Sequence, residues 1–566
     1  MKKTALTILL AALSALASNA QSAYDAWLFS ENNYEGTARS VAMGNAFTAL
    51  GGDLGAVSIN PAGSAVAGYS QFTLTPALSI STNITTGQSY NEYPATYFQS
   101  KQKSSMTRVG LPNIGFTLNF NTGRKSGVKS YSMGFIANRT NSWNEDLFAR
   151  GTNNETSFLA AAAADAQAEI QWMNNHKAPG EADFTASDFL SDQAYRYMNW
   201  KDVVCYRGGL FSSIDEEGKK FAGATENILK GGAHTLAGEV DQRYGRSVSG
   251  NKYEYIFNLG ANISDFLYLG FNLGINSINY NYSHYFKEGA ANGNYEEFEN
   301  VFIDDKGTEY TTYFKNAKYN YTYSAEGTGV FAKFGFILTP GNGLRIGAAI
   351  QTPTATTIYE EWQEGASTSF TDSSFDGSEE SEVGGNEYRL RSPWRANFGA
   401  AYTLGRFAVI SADYEIAGYG NMKYNIDRYN MSDDTVEYFE MINDDIKNMY
   451  GAAHYLRLGA EVKPFAELAV RCGYNLSTSA RTHEYDADYD EYYKLDRIYG
   501  HNVSVGFGYS SKKSFFADIA CRYTLPAKEY ILPYSDYLAS TNGALPPEIL
   551  NIHSNWKILL TLGWRF

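Results

Sequence analysis

Fourteen stretches of this 566-residue chain alternate apolar and polar residues in period two, and the connections between them switch between tight turns and long polar excursions. The stretches run approximately over 70–84, 107–121, 128–143, 252–264, 266–286, 318–338, 343–359, 386–404, 406–425, 452–463, 466–485, 495–510, 514–531 and 551–566. Tight connections stand at Ser264-Asp265, Pro340 to Gly343, Gly405-Arg406, Pro464-Phe465 and Ser510 to Lys513. Successive side chains of a strand point to opposite faces, so each stretch has one apolar face and one polar or small face. In the last of them, Trp556, Ile558, Leu560, Leu562, Trp564 and Phe566 oppose Lys557, Leu559, Thr561, Gly563 and Arg565. A soluble sandwich alternates too, but has no reason to gather its long loops at one end. Short turns on one side, long loops on the other and aromatics at both ends of the apolar face describe a transmembrane antiparallel barrel, with both termini on the short-turn, periplasmic side when the strand number is even. The expected fold is all-β, a transmembrane antiparallel β-barrel of about 14 strands.

Composition removes the competing classes. Mean hydropathy is −0.36 and no run of eighteen apolar residues exists, which excludes a helical membrane protein. A barrel escapes that test because only alternate residues face lipid. Formal charge is −15, and would be −17 without Lys2 and Lys3, so a nucleic-acid partner is excluded on charge. Cys205, Cys472 and Cys521 are too scattered for a disulfide framework or a metal knot. The seven histidines have no paired spacing, and no Gly-x-Ser-x-Gly elbow is present, so no catalytic residue, metal site or cofactor is expected and the chain is not read as an enzyme. Asp486, Asp488 and Asp490 imitate the start of a calcium loop, but Glu491 stands where that loop needs glycine.

Residues 1–20 read as a cleavable secretory leader: Lys2-Lys3, an apolar core from Thr4 to Leu16, and Ser18-Asn19-Ala20 at the cut. Residues 21–69 lack alternation and are rich in Gly, Ala and Asn, including Gly44-Asn45, Gly51-Gly52-Asp53 and Asn60-Pro61-Ala62-Gly63. They form either a plug in the lumen or a periplasmic linker; Val41, Met43, Phe47, Leu50, Leu54, Val57 and Ile59 favour the plug. Residues 70–566 are the barrel, interrupted by a long outer excursion at about 144–251.

The segment with Gly44-Asn45-Ala46 and then Ala56 to Gly63 (AVSINPAG), ahead of a barrel ending in Phe566, resembles the outer-membrane transporters for long-chain fatty acids and aromatic hydrocarbons of Gram-negative bacteria, the FadL/TodX type. Leu344 to Ala349 before Pro353, Ser392-Pro393, Asn397 to Tyr402 and Asp413-Tyr414 have the same look. The resemblance implies a hatch carrying Asn60-Pro61-Ala62, a helical outer loop that helps form a first binding groove, and a strand kink opening a side window. Trp564 and Phe566 resemble the terminal signal read by the barrel-assembly machinery.

Three readings concern the site itself. Strand parity aims Ile256, Phe331, Ile337, Phe407, Val409, Phe516 and Leu559 into the lumen, either lining an apolar ligand pocket or packing on the plug. Pro112, which cannot donate to a ladder, stands between Gly110 and Gly115, making either a lateral opening or a simple bulge. The Ala-rich run Phe158 to Ile170 gives the long loop a helix that either binds ligand or caps the mouth. The expected function is passive uptake of a hydrophobic small molecule, a long-chain fatty acid or similar apolar compound, through a porin-like plugged barrel, with lateral release into outer-membrane lipid. The alternative is a scaffold or shuttle whose long, acidic, tyrosine-rich outer loops dock a protein partner.

Overall fold

The fourteen alternating stretches form strands of one closed barrel, and each strand is hydrogen-bonded to its neighbours in chain order. The computed structural model describes residues 22–87, 97–228, 234–303, 306–429, 431–486, 491–512, 514–534 and 547–566; the leader, Gln21, Asp488 and Asp490 lie outside them. The strands are β1 (Gln71–Gly87), β2 (Gln102–Asn121), β3 (Val128–Asn153), β4 (Val240–Ile263), β5 (Leu267–Ala290) and β6 (Glu309–Gly341). Then come β7 in two pieces (Leu344–Gln351 and Ala355–Phe370), β8 in two pieces (Gly384–Arg391 and Arg395–Leu404) and β9 (Ala408–Gly418). The last five are β10 (Ala452–Phe465), β11 (Leu468–Thr478), β12 (Tyr499–Ser510), β13 (Phe515–Ile531) and β14 (Ile549–Arg565). Antiparallel pairing of β1 with β14, from Gln71 opposite Arg565 to Gly87 opposite Ile549, closes the cylinder and removes the sheet edges.

The distribution of polarity is the reverse of a soluble barrel. Trp556, Ile558, Leu560 and Trp564 of β14 and Val503, Val505, Phe507 and Tyr509 of β12 are exposed. Lys557, Arg457, Glu461, Arg471, Asp518 and Arg522 face inward and are buried. Apolar side chains on the outside and charges within suit a hydrocarbon solvent, where each backbone group must also be paired internally. Among the described residues no helix is long and apolar enough to cross a membrane. The crossing is made by strands.

Roughly ten tilted residues cross the hydrocarbon, yet β6 has 33, so the outer wall rises well beyond the bilayer. This corrects the reach of the long excursion. Residues 144–153 and 240–251 are not loop; they continue the β3–β4 ladder up to Asn153 opposite Val240. In that upper wall neither face meets lipid, so the alternation that marks the membrane span fades. The true excursion, 154–239, carries α4 (Phe158–His176) and α5 (Trp200–Arg207) with two small hairpins. Ser157 caps α4 by accepting from the Leu159 and Ala160 amides at 3.1 and 3.4 Å, and Glu288 of β5 accepts from the Phe158 amide at 2.9 Å. The subdomain packs Phe158, Leu159, Phe189, Val204 and Phe211 into one core with Phe286, Tyr319, Phe370 and Ile549 of the upper wall.

Residues 22–68 lie inside the barrel and form α1 (Ala23–Ser30), α2 (Ala38–Ala42) and α3 (Gly63–Val66). From outside, α6 (Asp433–Met449) of the β9–β10 loop covers α1, with Phe439, Ile442 and Ile446 against the cluster of Ala26, Leu28 and Phe29.

Candidate functional site

The N-terminal segment is held by wall side chains on nearly every strand, most of them reaching its backbone. Lys252 Nζ donates to the Phe29 and Glu31 carbonyls at 2.8 and 3.1 Å, and Arg395 Nη2 to the Ser30 carbonyl at 2.8 Å. The Ala38 amide donates to Thr561 Oγ1 at 2.7 Å and the Thr48 amide to Asp413 Oδ2 at 2.6 Å. Asn138, Asn258 and Asn272 each send Nδ2 to a carbonyl of the segment, those of Leu54, Pro61 and Val57. These bonds satisfy a segment that has little regular structure of its own.

The wall makes room for it with glycine. A Cβ on any of Gly260, Gly270, Gly335, Gly347, Gly399, Gly459, Gly473 or Gly506 would collide with an atom of the segment. In register, Gly260 faces Gly270, Gly270 faces Gly335, Gly347 faces Gly399 and Gly459 faces Gly473. They form a collar round much of the lumen, and on the segment's side Gly44 (φ +62°) lies against the backbone of Leu458 and Tyr474.

The remaining residues singled out in this segment have local roles. Asn45 Nδ2 donates to the Tyr34 carbonyl at 2.8 Å; Gly51 and Gly52 make a positive-φ turn in which the Gly52 amide donates to the Gly63 carbonyl at 2.8 Å. Asp53 Oδ1 accepts from Thr37 Oγ1 at 2.6 Å and from the Gly55 amide at 2.9 Å. Asn60 Nδ2 reaches the Thr48 carbonyl at 2.6 Å and the Phe336 carbonyl at 3.1 Å, while its Oδ1 accepts from the Ala62 amide at 3.0 Å, so Asn60-Pro61-Ala62 joins two turns of the segment to β6.

The wall is interrupted beside this segment. β2 pairs with β3 only from Asn113 opposite Asn138 downward; Gln102 to Pro112 and Arg139 to Asn153 form no ladder with each other. Three irregularities meet at that level: the shift at Pro76 in β1, Leu111-Pro112 opposite it in β2, and the shift at Thr140 in β3. Above the interruption the two strands are tied again, Ser104 Oγ donating to the Asp146 carbonyl at 2.6 Å. The freed edge of β3 is taken by the N-terminal segment: the Asn33 amide donates to the Thr140 carbonyl at 2.5 Å and the Glu35 amide to the Arg139 carbonyl at 3.1 Å. A Cβ on Gly110 would overlap the Arg139 guanidinium, so that side chain occupies the interruption. Glu35 holds it there, accepting from Arg139 Nε at 2.7 Å, from Ser142 Oγ at 2.8 Å and from Lys557. Gly110 and Pro112 therefore border the interruption. Gly115 lies below it, inside the ladder opposite Ile136.

Two cavities lie on opposite sides of the segment. The upper one, about 590 Å³, is lined by Tyr24 and Leu28 of α1 and by Trp143, Tyr280, Tyr282 and Tyr321 of the wall, among others. The lower one, about 430 Å³, is a polar vestibule lined by residues such as Arg39, Asp53, Arg345, Glu461 and Arg565. The apolar residues selected by parity do not line the upper cavity. Ile256 and Phe331 pack with Leu54, Val57 and Ile136; Leu559 packs with Ala38, Val41 and Ala42; Val409 packs near Phe47 and Leu50; Ile337 is buried in β6. Phe516 lies under the Arg565 guanidinium, 4.5 Å from its ring centre, at the vestibule. Phe407 is 61% exposed, because the β8–β9 turn takes Gly405 to Phe407 and the strand resumes only at Ala408. Parity located inward apolar residues, but at the level where the segment fills the lumen. The tyrosines of the upper cavity recur at period two, Tyr280 and Tyr282 in β5 and Tyr321 and Tyr323 in β6, a pattern a count of inward aliphatic residues does not pick up.

No family model matches the chain, and no curated protein does. Among solved structures it is similar to the toluene transporter TodX of P. putida, with 12% identity over 94% of this chain and 99% of that one and a TM-score of 0.45. It is similar to a Pseudomonas aeruginosa FadL homologue, with 10% identity over 94% and 99% and a TM-score of 0.48. The CymD monoaromatic hydrocarbon channel is a third, with 8% identity over 95% and 98% and a TM-score of 0.42. At this level of likeness, ligand and mechanism have to be argued from the residues of this chain.

Proposed function

We propose that this chain is a passive outer-membrane transporter for hydrophobic small molecules, which rest in the upper cavity and leave sideways through the wall between β2 and β3. The observation that carries the reading is a coincidence of position: where the β2–β3 ladder stops, the β3 edge at Arg139 and Thr140 is bonded from inside by Asn33 and Glu35 of the plug. An unpaired strand edge facing hydrocarbon costs several kcal/mol, so such an interruption is tolerated only where it opens on protein or a cavity. A straight exit downward would deliver an apolar molecule through the charged vestibule into water. A sideways exit delivers it into lipid, where its transfer is favourable by about 25 cal/mol per Å² of apolar surface.

In this mechanism a ligand settling beside α1 displaces the segment that follows it. Asn33 and Glu35 then leave the β3 edge, and Arg139, no longer held by Glu35, swings clear of Gly110. No energy source enters, and direction comes from the ligand's gradient.

The test is a staple. Cysteines at Asn33 and Thr140, oxidised to a disulfide in the purified protein, fix the segment across the interruption. In proteoliposomes the staple should abolish transfer of a hydrophobic fluorophore from the outer medium into the bilayer, and reductant should restore it. Transfer at the unstapled rate with the disulfide intact would refute lateral exit.

A further inference from the structure

We infer that Tyr253 is the outer leaf of the lateral opening: its side chain closes the β2–β3 interruption from the lipid side and releases only after the plug has let go of Arg139. The inference rests on the lateral exit proposed above and names the residue that regulates it.

Strand parity puts Tyr253 on the outer face of β4. Its neighbours Lys252 and Glu254 point inward and are buried, while Tyr255, Phe257 and Leu259 are exposed on the outer side. The turn below β4 is at Ser264-Asp265, and roughly ten tilted residues cross the hydrocarbon, so Tyr253 stands at its outer rim. A tyrosine at that height ordinarily sets its ring in lipid and its hydroxyl toward water. Tyr253 does otherwise. Its hydroxyl reaches over β3 and donates to the Leu111 carbonyl of β2 at 3.2 Å. Leu111 stands where the β2–β3 ladder has stopped, since the last pair is Asn113 opposite Asn138. A side chain of β4 therefore spans the place where β2 and β3 no longer bond each other.

What Tyr253 covers sets the order of opening. Arg139 of β3 is its register partner, and the guanidinium lies beside the tyrosine hydroxyl. Glu35 holds that guanidinium from inside, 2.7 Å from Nε, and Asn251 Oδ1 accepts from Nη1 at 3.1 Å. Tyr253 is thus the cover between a pinned cation and the acyl chains. Were the leaf to open first, the guanidinium would face hydrocarbon, which is costly. Once Asn33 and Glu35 have left the β3 edge, Arg139 can withdraw into the watered lumen, and the leaf is held by a single neutral hydrogen bond. The plug therefore opens first and the leaf second.

The test is the transfer of a hydrophobic fluorophore into the bilayer of proteoliposomes, read as a maximal rate and a half-saturating concentration. It is made in Glu35→Gln, which frees the plug so that the leaf limits the rate. Adding Tyr253→Phe should raise the maximal rate about three- to tenfold, the loss of one hydrogen bond. The half-saturating concentration should stay the same, because Tyr253 does not line the upper cavity. Tyr255→Phe, whose ring stacks beside Tyr253 with centres 6.2 Å apart, should change neither quantity. With Glu35 intact and the Asn33–Thr140 disulfide closed, Tyr253→Phe should transfer nothing. An unchanged maximal rate for Tyr253→Phe, or an equal rise for Tyr255→Phe, overturns the leaf and leaves lateral exit standing. Transfer by the stapled Tyr253→Phe variant, where the stapled parent transfers nothing, overturns the order of opening. Transfer by the stapled parent itself overturns lateral exit and the leaf together.

Discussion

Glu35→Gln isolates the contact that closes the wall. Glu35 is 1% exposed, and its single carboxylate answers Arg139 and Lys557 directly, with Arg522 also close enough to act on it. Arg522 is poorly compensated elsewhere: Nη1 donates to the Tyr34 carbonyl at 3.2 Å, and Nε and Nη2 have no partner. An amide in place of the carboxylate leaves these buried cations without a counter-charge, and breaking such a buried arrangement costs roughly 3–5 kcal/mol. The cost falls on the seated plug, because once the segment is displaced the cations face an open, watered lumen. At about 1.4 kcal/mol per factor of ten, the ratio of seated to displaced plug drops by roughly two to nearly four orders of magnitude. The barrel ladder is untouched, so the variant should still fold and insert. Single-channel recording in planar bilayers should show frequent openings in Glu35→Gln where the parent protein is mostly closed. Adding Arg139→Gln and Lys557→Met should restore much of the closed time. A closed, parent-like trace from Glu35→Gln alone would refute the claim that this carboxylate holds the plug over the interruption.

Three further outcomes follow from other parts of the molecule. Leu560→Arg and Val505→Arg, both on the exposed face, should each lose roughly 2–4 kcal/mol of folding free energy in lipid vesicles if they sit near the bilayer midplane, read by urea titration of tryptophan fluorescence. Gly473→Leu places a side chain where Met43 and Gly44 lie, so the barrel should assemble but admit small polar solutes in a liposome-swelling assay. In the outer subdomain, burial pushes the Glu169 carboxyl up to about 7, with Asp202 hydrogen-bonded to it and Asp165 and Lys201 nearby. A carboxyl with a raised folded-state pKa stabilises fully below its unfolded value of about 4.3, and that contribution is lost as pH rises through 7. Protection factors in α4 and α5, corrected for the base-catalysed rise of the intrinsic exchange rate, should therefore fall between pH 5 and pH 8, and Glu169→Gln should flatten the change.

The barrel was legible because lipid imposes a strict rule on one face of each strand, and that rule survives in single residues such as Val503, Val505 and Phe507 against Ser504. Pro112 was legible for a related reason: an imino nitrogen in a ladder is a defect that the rest of the wall has to answer, here with Pro76 and Thr140. What the lumen holds was less legible, because the inward face obeys two rules at different heights. At the collar the inward residues are glycine, which reads as merely small; its meaning appears only when Gly270, Gly335, Gly347 and Gly473 fall on one level against a second chain segment. Above the collar the inward residues are tyrosine at the same period of two, and a parity count that seeks aliphatic residues passes over them. Both patterns follow from one physical division of the lumen. Where the plug's backbone must approach the wall, side chains are deleted to let its hydrogen bonds reach Asn258, Asn272 and Thr561. Where the lumen is left open, side chains return as rings that can pack against a guest without surrendering contact with water. The height at which glycine gives way to tyrosine along β5, between Gly270, which meets Pro61 and Ala62 of the plug, and Tyr280, therefore marks the passage from plug to cavity, and it can be read from the sequence once the inward phase is known.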